Sequence, residues 1–442
     1  MADYLPYCES HLQNLISATS QTGGAMWPSV LDTRTGCYPD GDHVPQRVYR
    51  LIGAPGGSTL YWDQPMVRAA RALSELTGDP HYTRAVDRYV NAFLERCVAE
   101  NGMFLWGNHL YYDVIECRIV SFSNGHHELR PISPAWDVFW RHAPEVTEKY
   151  IRTMARRHVY DPATGGFNRH DDGKKGHAFL EAGGILAESL AWLYGKTGDP
   201  DVLESALRIA RYSYNHRDRS TGLVPNEPDQ GRWDSRVCTS EIGLWARCLL
   251  RAEDCTRNGE FGTMARHALR AYLDYAHDDE SGRYFGQVDI RDGSPVIPEQ
   301  TGYWPGRYSD LWNTDQWPQH DYPAPTAEAC MSLYRRTGET VFLDHLRRWV
   351  RLAVETSPGR TGTWAYAESY GRCIHLLSRA GLELGDDRLL DQAQGLADEA
   401  VDCLWNEGLF AGYPGDHLYE SVDGVGFLIR ALMFLQTREE ER

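Results

Sequence analysis

KTGDPDV, residues 196–202, is the stretch that decides how this chain folds. A mostly apolar run precedes it and an amphipathic run follows it. Glycine suits the left-handed residue that ends a helix, aspartate can cap the next helix, and proline fits the first turn of that helix. The stretch therefore predicts two helices joined by a tight turn, which is a helical hairpin.

The same turn returns along the chain, which indicates a repeated unit. Close copies are LTGDPHY at 76–82, RTGETVF at 336–342 and LGDDRLL at 384–390, and CTRNGEF at 255–261 is a looser one. Repeats of this kind predict an array of hairpins in which each unit buries its apolar faces against its neighbours.

The two helices of each hairpin differ in character. The helix after the turn at 196–202 carries one apolar stripe opposite charged residues, which is typical of a surface helix. The helices before the turns are apolar around most of their circumference and must be enclosed on all sides. They lie at 178–194, 239–250, 323–334 and 420–435. We therefore predict an all-α fold: an (α/α)6 toroid with inner and outer rings of helices, forming a single domain over 1–442.

Three further segments complete the predicted fold. A helix at 4–19 can serve as an outer member, and 128–142 is a candidate for a seventh hairpin that Pro131 and Pro134 weaken. The segment 104–125 predicts a minor β-hairpin at one rim.

Long loops lead into the inner helices, and their composition is the strongest functional signal. Helix N-termini present unpaired N–H groups and positive dipole ends, which attract anions. The loop FNRHDDGKKGHAF at 167–179 is typical, since these loops mix aromatic residues with His, Asp, Glu and Arg. Sugars stack on aromatic rings and form charge-assisted hydrogen bonds through their hydroxyls. The loops therefore predict a carbohydrate site, and the alternative is that their aromatic residues only anchor the loops.

Paired carboxyls can act as general acid and general base, and histidines can orient them or move protons. The predicted catalytic residues are Glu128, Asp171, His127, His170 and His109. The predicted substrate-binding residues are Trp62, Asp63, Tyr111, His126, Arg130, His177, Glu181, Arg236, Trp312, His320, Tyr366, Glu368, Tyr370, Arg372, His417, Tyr419 and Glu420.

Composition and motifs exclude several classes of protein. A net charge of −17 argues against nucleic-acid binding. The N-terminus lacks a signal-peptide pattern and the cysteines form no CxxC pair, so a cytoplasmic protein is expected. No run of about 18 apolar residues occurs, so no contact with a membrane is expected. No metal-ligand spacing and no cofactor motif is present, so neither a metal nor a cofactor is expected. The long loop before residue 323 is a candidate contact for a homo-oligomer.

The repeated hairpins and the loops rich in Trp, His and acids resemble the six-hairpin glycosidase superfamily, which includes unsaturated uronyl hydrolases. They resemble more distantly the N-acylglucosamine 2-epimerase type and the toroid domains of polysaccharide lyases. The resemblance implies a glycoside hydrolase that releases a sugar, expected to be a uronic acid, from oligosaccharides by general acid/base catalysis. Glu128 and Asp171 would be the acid and base, and Arg130, Arg236 and Arg372 would hold the carboxylate.

Three alternatives stay open. A uronate lyase would use His109, Tyr111 or His127 as the base for β-elimination. A sugar epimerase or isomerase would use a pair of histidines such as His177 and His320. A helical scaffold that binds protein partners would turn over no sugar.

Overall fold

The computed structural model describes residues 3–39, 56–107, 110–121, 127–129, 132–229, 234–297, 307–309, 324–358 and 365–438. Over these ranges the chain forms fourteen α-helices and only short strands, which is the all-α class expected from the sequence. Within the same ranges, no helix combines the length and the apolar character needed to cross a lipid bilayer.

The chain divides into two compact units. The first comprises Met1–His127, Asp137–Val146 and Ser357–Arg442, and the second comprises Glu128–Trp136 and Thr147–Thr356. The single domain over 1–442 stays a prediction.

The first unit is built from helical hairpins and small antiparallel sheets. Its helices are α1 (Leu5–Ala18), α2 (Leu60–Thr77), α3 (His81–Arg96), α4 (Trp136–His142, most of which lies here), α12 (Ala367–Leu384), α13 (Asp387–Leu404) and α14 (Val425–Thr437). Its strands are β1 (Val30–Asp32), β2 (Gly57–Ser58), β3 (Leu110–Asp113), β4 (Arg118–Ser121), β11 (Trp405–Asn406), β12 (Leu409–Phe410) and β13 (Leu418–Glu420). The sheets have the orders β1–β13, β2–β3–β4 and β11–β12, and Val30 faces Glu420 in the first.

The second unit repeats the same plan. Its helices are α5 (Pro144–His158, which begins in the first unit), α6 (Leu180–Thr197), α7 (Pro200–Asn215), α8 (Thr239–Thr256), α9 (Gly259–Ala276), α10 (Ala324–Thr337) and α11 (Thr340–Glu355). Its strands are β5 (Val159–Asp161), β6 (Gly166–Phe167), β7 (Arg236–Cys238), β8 (His277–Asp278), β9 (Arg283–Tyr284) and β10 (Gln287–Asp289), which pair as β5–β6, β7–β10 and β8–β9.

The repeated turn has the predicted geometry. Gly78, Gly198, Gly338 and Gly385 end their helices in the left-handed conformation, with φ of 72°, 68°, 70° and 63°. The side chain of Asp199 then accepts a hydrogen bond from a backbone N–H in the first turn of α7, at 3.0 Å. Each turn thus satisfies backbone groups at the end of one helix and at the start of the next.

Inner and outer helices differ as predicted. In α6 two thirds of the residues are buried, on nearly every face, whereas α7 buries one stripe that includes Val202, Ala206 and Ala210. The predicted hairpin at 104–125 is the pair β3–β4, extended by β2. The candidate helix at 128–142 is wrong for its first half, since α4 begins only at Trp136, after Pro134. Proline disfavours helical geometry in the residue before it and removes a backbone donor.

Glycines let inner helices touch close to their N-termini within each unit. A β-carbon on Gly371 of α12 would lie 2.5 Å from the backbone nitrogen of Leu428 in α14. One on Gly426 of α14 would lie 2.4 Å from the nitrogen of Met66 in α2. In the second unit, one on Gly243 of α8 would lie 2.6 Å from the nitrogen of Thr326 in α10. All these residues stand within the first seven positions of their helices, so the N-terminal ends of neighbouring inner helices lie close to one another within each unit.

Candidate functional site

A group of charged side chains in the second unit is centred on Glu128, whose side chain is only 3 % exposed. Nη2 of Arg169 lies 3.0 Å from Oε1 of Glu128, and Nε2 of His170 lies 3.7 Å from the same oxygen. His177 and Glu227 continue this group, and the five residues together are called the Glu128 network below. One buried carboxylate oxygen therefore faces both a guanidinium and an imidazole.

The backbone between β6 and α6 fixes these side chains. Glu128 and His170 form an antiparallel bridge, and the N–H of Leu129 donates to the carbonyl of Arg169 at 2.9 Å. The N–H of Arg169 donates in turn to the carbonyl of His177 at 2.7 Å. These hydrogen bonds tie residues that lie far apart in the sequence to one short piece of extended chain.

His177 is held from behind by a buried carboxylate. Its Nδ1 lies 2.9 Å from Oε1 of Glu227, whose side chain is 1 % exposed, whereas the side chain of His177 is 56 % exposed. The ring of Phe179 stacks on that of His177 at a centroid distance of 6.0 Å, and the His170 ring centroid lies 5.8 Å away. One edge of His177 is thus anchored, and the ring remains open to solvent.

The environment of His170 decides its charge. Burial lowers the pKa of this imidazole, because the charged form loses hydration, and the nearby Glu128 carboxylate offsets only part of that effect. Since the ordinary pKa of histidine is already below 7, His170 is mainly neutral at neutral pH. A neutral imidazole is a proton acceptor.

Two more acids stand at helix starts in the second unit. Oε2 of Glu241, in the first turn of α8, accepts a hydrogen bond at 3.0 Å from the backbone N–H of Glu181, in the first turn of α6. Both carboxyls are buried. The predicted residue Glu181 therefore lies at an inner-helix N-terminus, where the helix dipole favours a negative charge.

The first unit gathers a separate set of buried acids at the starts of α2, α12 and α14. They are Asp63, Glu368, Glu420 and Asp423. Burial raises the pKa of Asp63 to about 8, although hydrogen bonds from Tyr89 and Ser421 act in the opposite direction. The Tyr89 hydroxyl donates to Oδ2 of Asp63 at 2.6 Å. At neutral pH this carboxyl is therefore mostly protonated.

Glu368 has a cation beside it. Nε of Arg372, one turn later on α12, donates to Oε1 of Glu368 at 2.6 Å. Burial nevertheless raises the pKa of Glu368, and the arginine counteracts part of that shift. Both predicted residues thus form one ion pair, in which the Glu368 carboxylate is buried.

The predicted aromatic residues of the first unit are enclosed by protein. Trp62, Tyr111, Tyr366 and Tyr419 are all buried. Burial raises the pKa of Tyr111 to about 12. A ring needs an exposed face to stack on a sugar, so a binding role for these four residues stays a prediction.

Other predicted residues have partners of their own. Nε2 of His127 accepts a hydrogen bond from the Trp106 indole at 3.1 Å, and the Tyr370 hydroxyl donates to Glu399 at 2.7 Å. His417 is exposed.

In the second unit, Asp171 forms an ion pair with Arg157 at 2.8 Å, and Arg236 donates to Gln287 at 3.2 Å. The ion pair favours a structural role for Asp171, so its catalytic role stays a prediction.

Five predicted residues fall outside the described ranges: His109, His126, Arg130, Trp312 and His320. Within the described ranges, no group of three or more His, Cys, Asp or Glu side chains is arranged to hold a metal ion.

Three residues of the sites were missed from the sequence: Arg169, Glu227 and Glu241. Arg169 and Glu227 lie in long loops that were recognised as site-facing, and Glu241 stands in the first turn of an inner helix. Their places, in a long loop that leads into an inner helix or in the first turn of such a helix, are the signal that could have found them.

A family model described as periplasmic pectate lyase matches residues 58–182. This range contains Glu128, Arg169, His170 and His177, and it covers less than half of the chain.

Solved structures share the fold across nearly the whole chain. An inactive α-1,6-mannanase variant of glycoside hydrolase family 76 from Salegentibacter sp., in complex with α-1,6-mannotetrose, has 13 % identity and a TM-score of 0.52, covering 98 % of this chain and 100 % of that one. A family 76 mannosidase from Bacteroides thetaiotaomicron has 12 % identity and a TM-score of 0.54, with 99 % of both chains covered. A D-mannose isomerase has 10 % identity and a TM-score of 0.53, with 98 % of both covered. The chain thus has the fold of these proteins, so the predicted all-α fold class and the expected resemblance in fold to the six-hairpin glycosidases are confirmed.

Proposed function

We propose that this protein is a carbohydrate-active enzyme that cleaves glycosidic bonds in a uronate-containing oligosaccharide, and that the Glu128 network does so by β-elimination. The observation that carries this proposal is the placement of the Arg169 guanidinium and the neutral imidazole of His170 on one oxygen of Glu128.

Elimination begins with removal of the proton on C5 of a uronate, next to its carboxylate. That proton is weakly acidic, and a positive charge near the carboxylate stabilises the negative charge that develops as the proton leaves. Arg169 supplies a permanent cation that matches the geometry of a carboxylate. His170 supplies a neutral base, and the side chain of Glu128 fixes the positions of both groups.

The reaction requires no water as a reactant. His170 takes the C5 proton, the electrons of the C5–H bond form a C4–C5 double bond, and the C4–O4 bond breaks. The leaving sugar keeps O4 with the electrons of that bond, O4 takes a proton from solvent, and His170 later returns its proton to solvent. A base that is already neutral near pH 7 can accept the proton without first losing one.

The comparisons support two parts of this proposal, the elimination and the oligosaccharide substrate. The pectate lyase model covers four of the five network residues. The mannanase and the mannosidase share the fold, and the mannanase was solved with α-1,6-mannotetrose, which supports an oligosaccharide as the substrate.

Hydrolysis is the second candidate, and a different observation favours it. The carboxyl of Asp63, with its pKa raised to about 8, is protonated at neutral pH, as a general acid of a glycosidase must be. The fold of family 76 glycoside hydrolases is consistent with that chemistry. Asp63 is buried, and Asp171 is held in an ion pair by Arg157. The Glu128 network therefore supports elimination more strongly than either acid supports hydrolysis.

An assay on uronate oligosaccharides separates these mechanisms. Wild type is expected to give a product with the ultraviolet absorbance of a C4–C5 double bond, formed in step with new reducing ends. The variants R169Q and H170Q should lose about 100-fold or more of this activity. H267Q, an equal exchange at an exposed histidine of α9, serves as the matched control and should keep it.

Reducing ends without ultraviolet absorbance, abolished by D63N, would replace elimination by hydrolysis. Absence of any product from uronate and neutral oligosaccharides would overturn both.

A further inference from the structure

Two buried carboxamides of the second unit carry amino groups that have no acceptor. Asn226 is 0 % exposed and Gln287, in β10, is 1 % exposed. Neither Nδ2 of Asn226 nor Nε2 of Gln287 makes a hydrogen bond within the part of the chain that the structure describes. An N–H donor that is buried without an acceptor is costly, so each of these groups marks a place where a further molecule can supply one.

The orientation of both amides is fixed by their oxygen atoms. Oδ1 of Asn226 accepts a hydrogen bond from the backbone N–H of Cys238 at 3.4 Å, and Oε1 of Gln287 accepts one from Nη1 of Arg236 at 3.2 Å. A backbone N–H and a guanidinium can only donate, so the oxygens must face them and the amino groups point elsewhere. The two side chains therefore offer only donors to a ligand.

Short extended segments place these side chains around β7. The N–H of Asn226 donates to the carbonyl of Arg236 on one side of β7 at 2.7 Å, and Gln287 faces Cys238 on the other side. Asn226, Arg236 and Gln287 are called the donor cluster below. Arg236 is only partly buried, so the cluster reaches the surface of the protein at its guanidinium.

We infer that the donor cluster is a subsite that binds the carboxylate of a second uronate unit, other than the unit that is cleaved. A guanidinium matches the geometry of a carboxylate, and a carboxylate accepts several hydrogen bonds without donating any. The inference rests on the proposed uronate substrate, but it does not depend on which residue removes the C5 proton. The cluster lies outside residues 58–182, which the pectate lyase model matches.

The donor cluster is joined directly to the Glu128 network. The carbonyl of Asn226 accepts a hydrogen bond at 3.0 Å from the N–H of Leu180, at the start of α6. The next residue, Glu227, lies 2.9 Å from Nδ1 of His177 through its Oε1. One oligosaccharide can therefore extend from the network to the cluster.

The acids near the cluster have partners of their own. Asp289 faces Arg236 in the pairing of β7 with β10, and its Oδ1 accepts a hydrogen bond from Nε of Arg291 at 2.9 Å. Glu227 is likewise occupied by His177. The amino groups of Asn226 and Gln287 thus stay available to a ligand, while the neighbouring carboxylates are held elsewhere.

Two uronate trisaccharides test this subsite. All three units of the first carry a carboxylate, whereas in the second only the cleaved unit keeps it and the other two are reduced to primary alcohols. Wild type should cleave the first with a kcat/KM at least about 10-fold higher, which is the contribution of one charge-assisted hydrogen bond.

Variants of the cluster should remove this preference. The ratio of the two kcat/KM values should fall below about 3 in Q287L and in R236Q, mainly through KM, and below 1 in Q287E, whose carboxylate repels that of the substrate. R236K keeps the charge without the planar donors and should retain part of the preference. Q13E, at an exposed glutamine of α1, is the matched control and should keep the wild-type ratio.

Urea denaturation shows whether Q287L is folded, and R236Q, at a partly exposed position, carries the test if it is not. A wild type without preference, or an unchanged ratio in the folded variants, would show that buried water alone occupies the amino groups. Either result would overturn the inference and leave elimination in place. Failure of wild type to form an unsaturated product from either trisaccharide would instead overturn the proposed function.

Discussion

Replacement of Asp63 by asparagine should change how the stability of the protein depends on pH. The carboxyl is fully buried, and its pKa is raised from an ordinary value near 3.9 to about 8. Between these values the folded protein binds one proton more than the unfolded chain. The free energy of unfolding of the wild type therefore falls by about 1.4 kcal/mol for each unit that the pH rises.

The total effect follows from the size of the shift. Over about four pH units the buried carboxyl lowers the free energy of unfolding of the wild type by roughly 5 kcal/mol, and this decrease is complete only above pH 8. Asparagine cannot ionise, and its carbonyl oxygen can still accept the hydrogen bond that the Tyr89 hydroxyl now gives to Oδ2 at 2.6 Å. D63N should thus be progressively more stable than the wild type as pH increases.

Urea denaturation at pH 5, 6, 7 and 8 measures this difference. The gap between D63N and the wild type should widen in favour of the variant by about 1.4 kcal/mol per pH unit up to pH 8. D344N, at an exposed aspartate of α11, is the control and should keep a constant difference from the wild type. Parallel curves for D63N and the wild type would show that the carboxyl is not protonated in the folded state, which would refute the reasoning.

Two further predictions concern packing and a buried charge. G371A places a methyl group 2.5 Å from the backbone nitrogen of Leu428 and should lower the free energy of unfolding by about 1–3 kcal/mol in urea denaturation. The control G395A on α13, where nothing lies within 4 Å, should raise it by about 0.5–1 kcal/mol. Equal effects of the two variants would contradict the close approach of α12 and α14. R372M leaves the Glu368 carboxylate without its cation and should lower the free energy of unfolding by about 3–5 kcal/mol. The double variant E368Q/R372M should recover much of this loss. Additive losses of the two single variants would argue against the ion pair.

The repeated architecture could be predicted from the sequence because its signals are local. The glycine that ends a helix, the aspartate that caps the next one and the apolar periodicity all act within a few residues of Gly198 and Asp199. Proline at 134 likewise shortened the candidate helix at 128–142 through a local effect.

The site could be predicted only in part, because its partners are distant in the sequence. Glu128 and His170 were identified as candidates, but their contact depends on a bridge between segments about 40 residues apart. Glu227 meets His177 from 50 residues away, and no local pattern marks that pairing. Asp171 illustrates the reverse case, since its sequence neighbourhood suggested catalysis, whereas the structure places it in an ion pair with Arg157.

The masses of the products test the central claim most directly. A purified uronate oligosaccharide is incubated with the protein, and the two fragments of a single cleavage are weighed by mass spectrometry. Elimination at the Glu128 network predicts fragments whose masses add up to that of the parent, with the C4–C5 double bond on one of them. Fragments that together exceed the parent by one water molecule would contradict it.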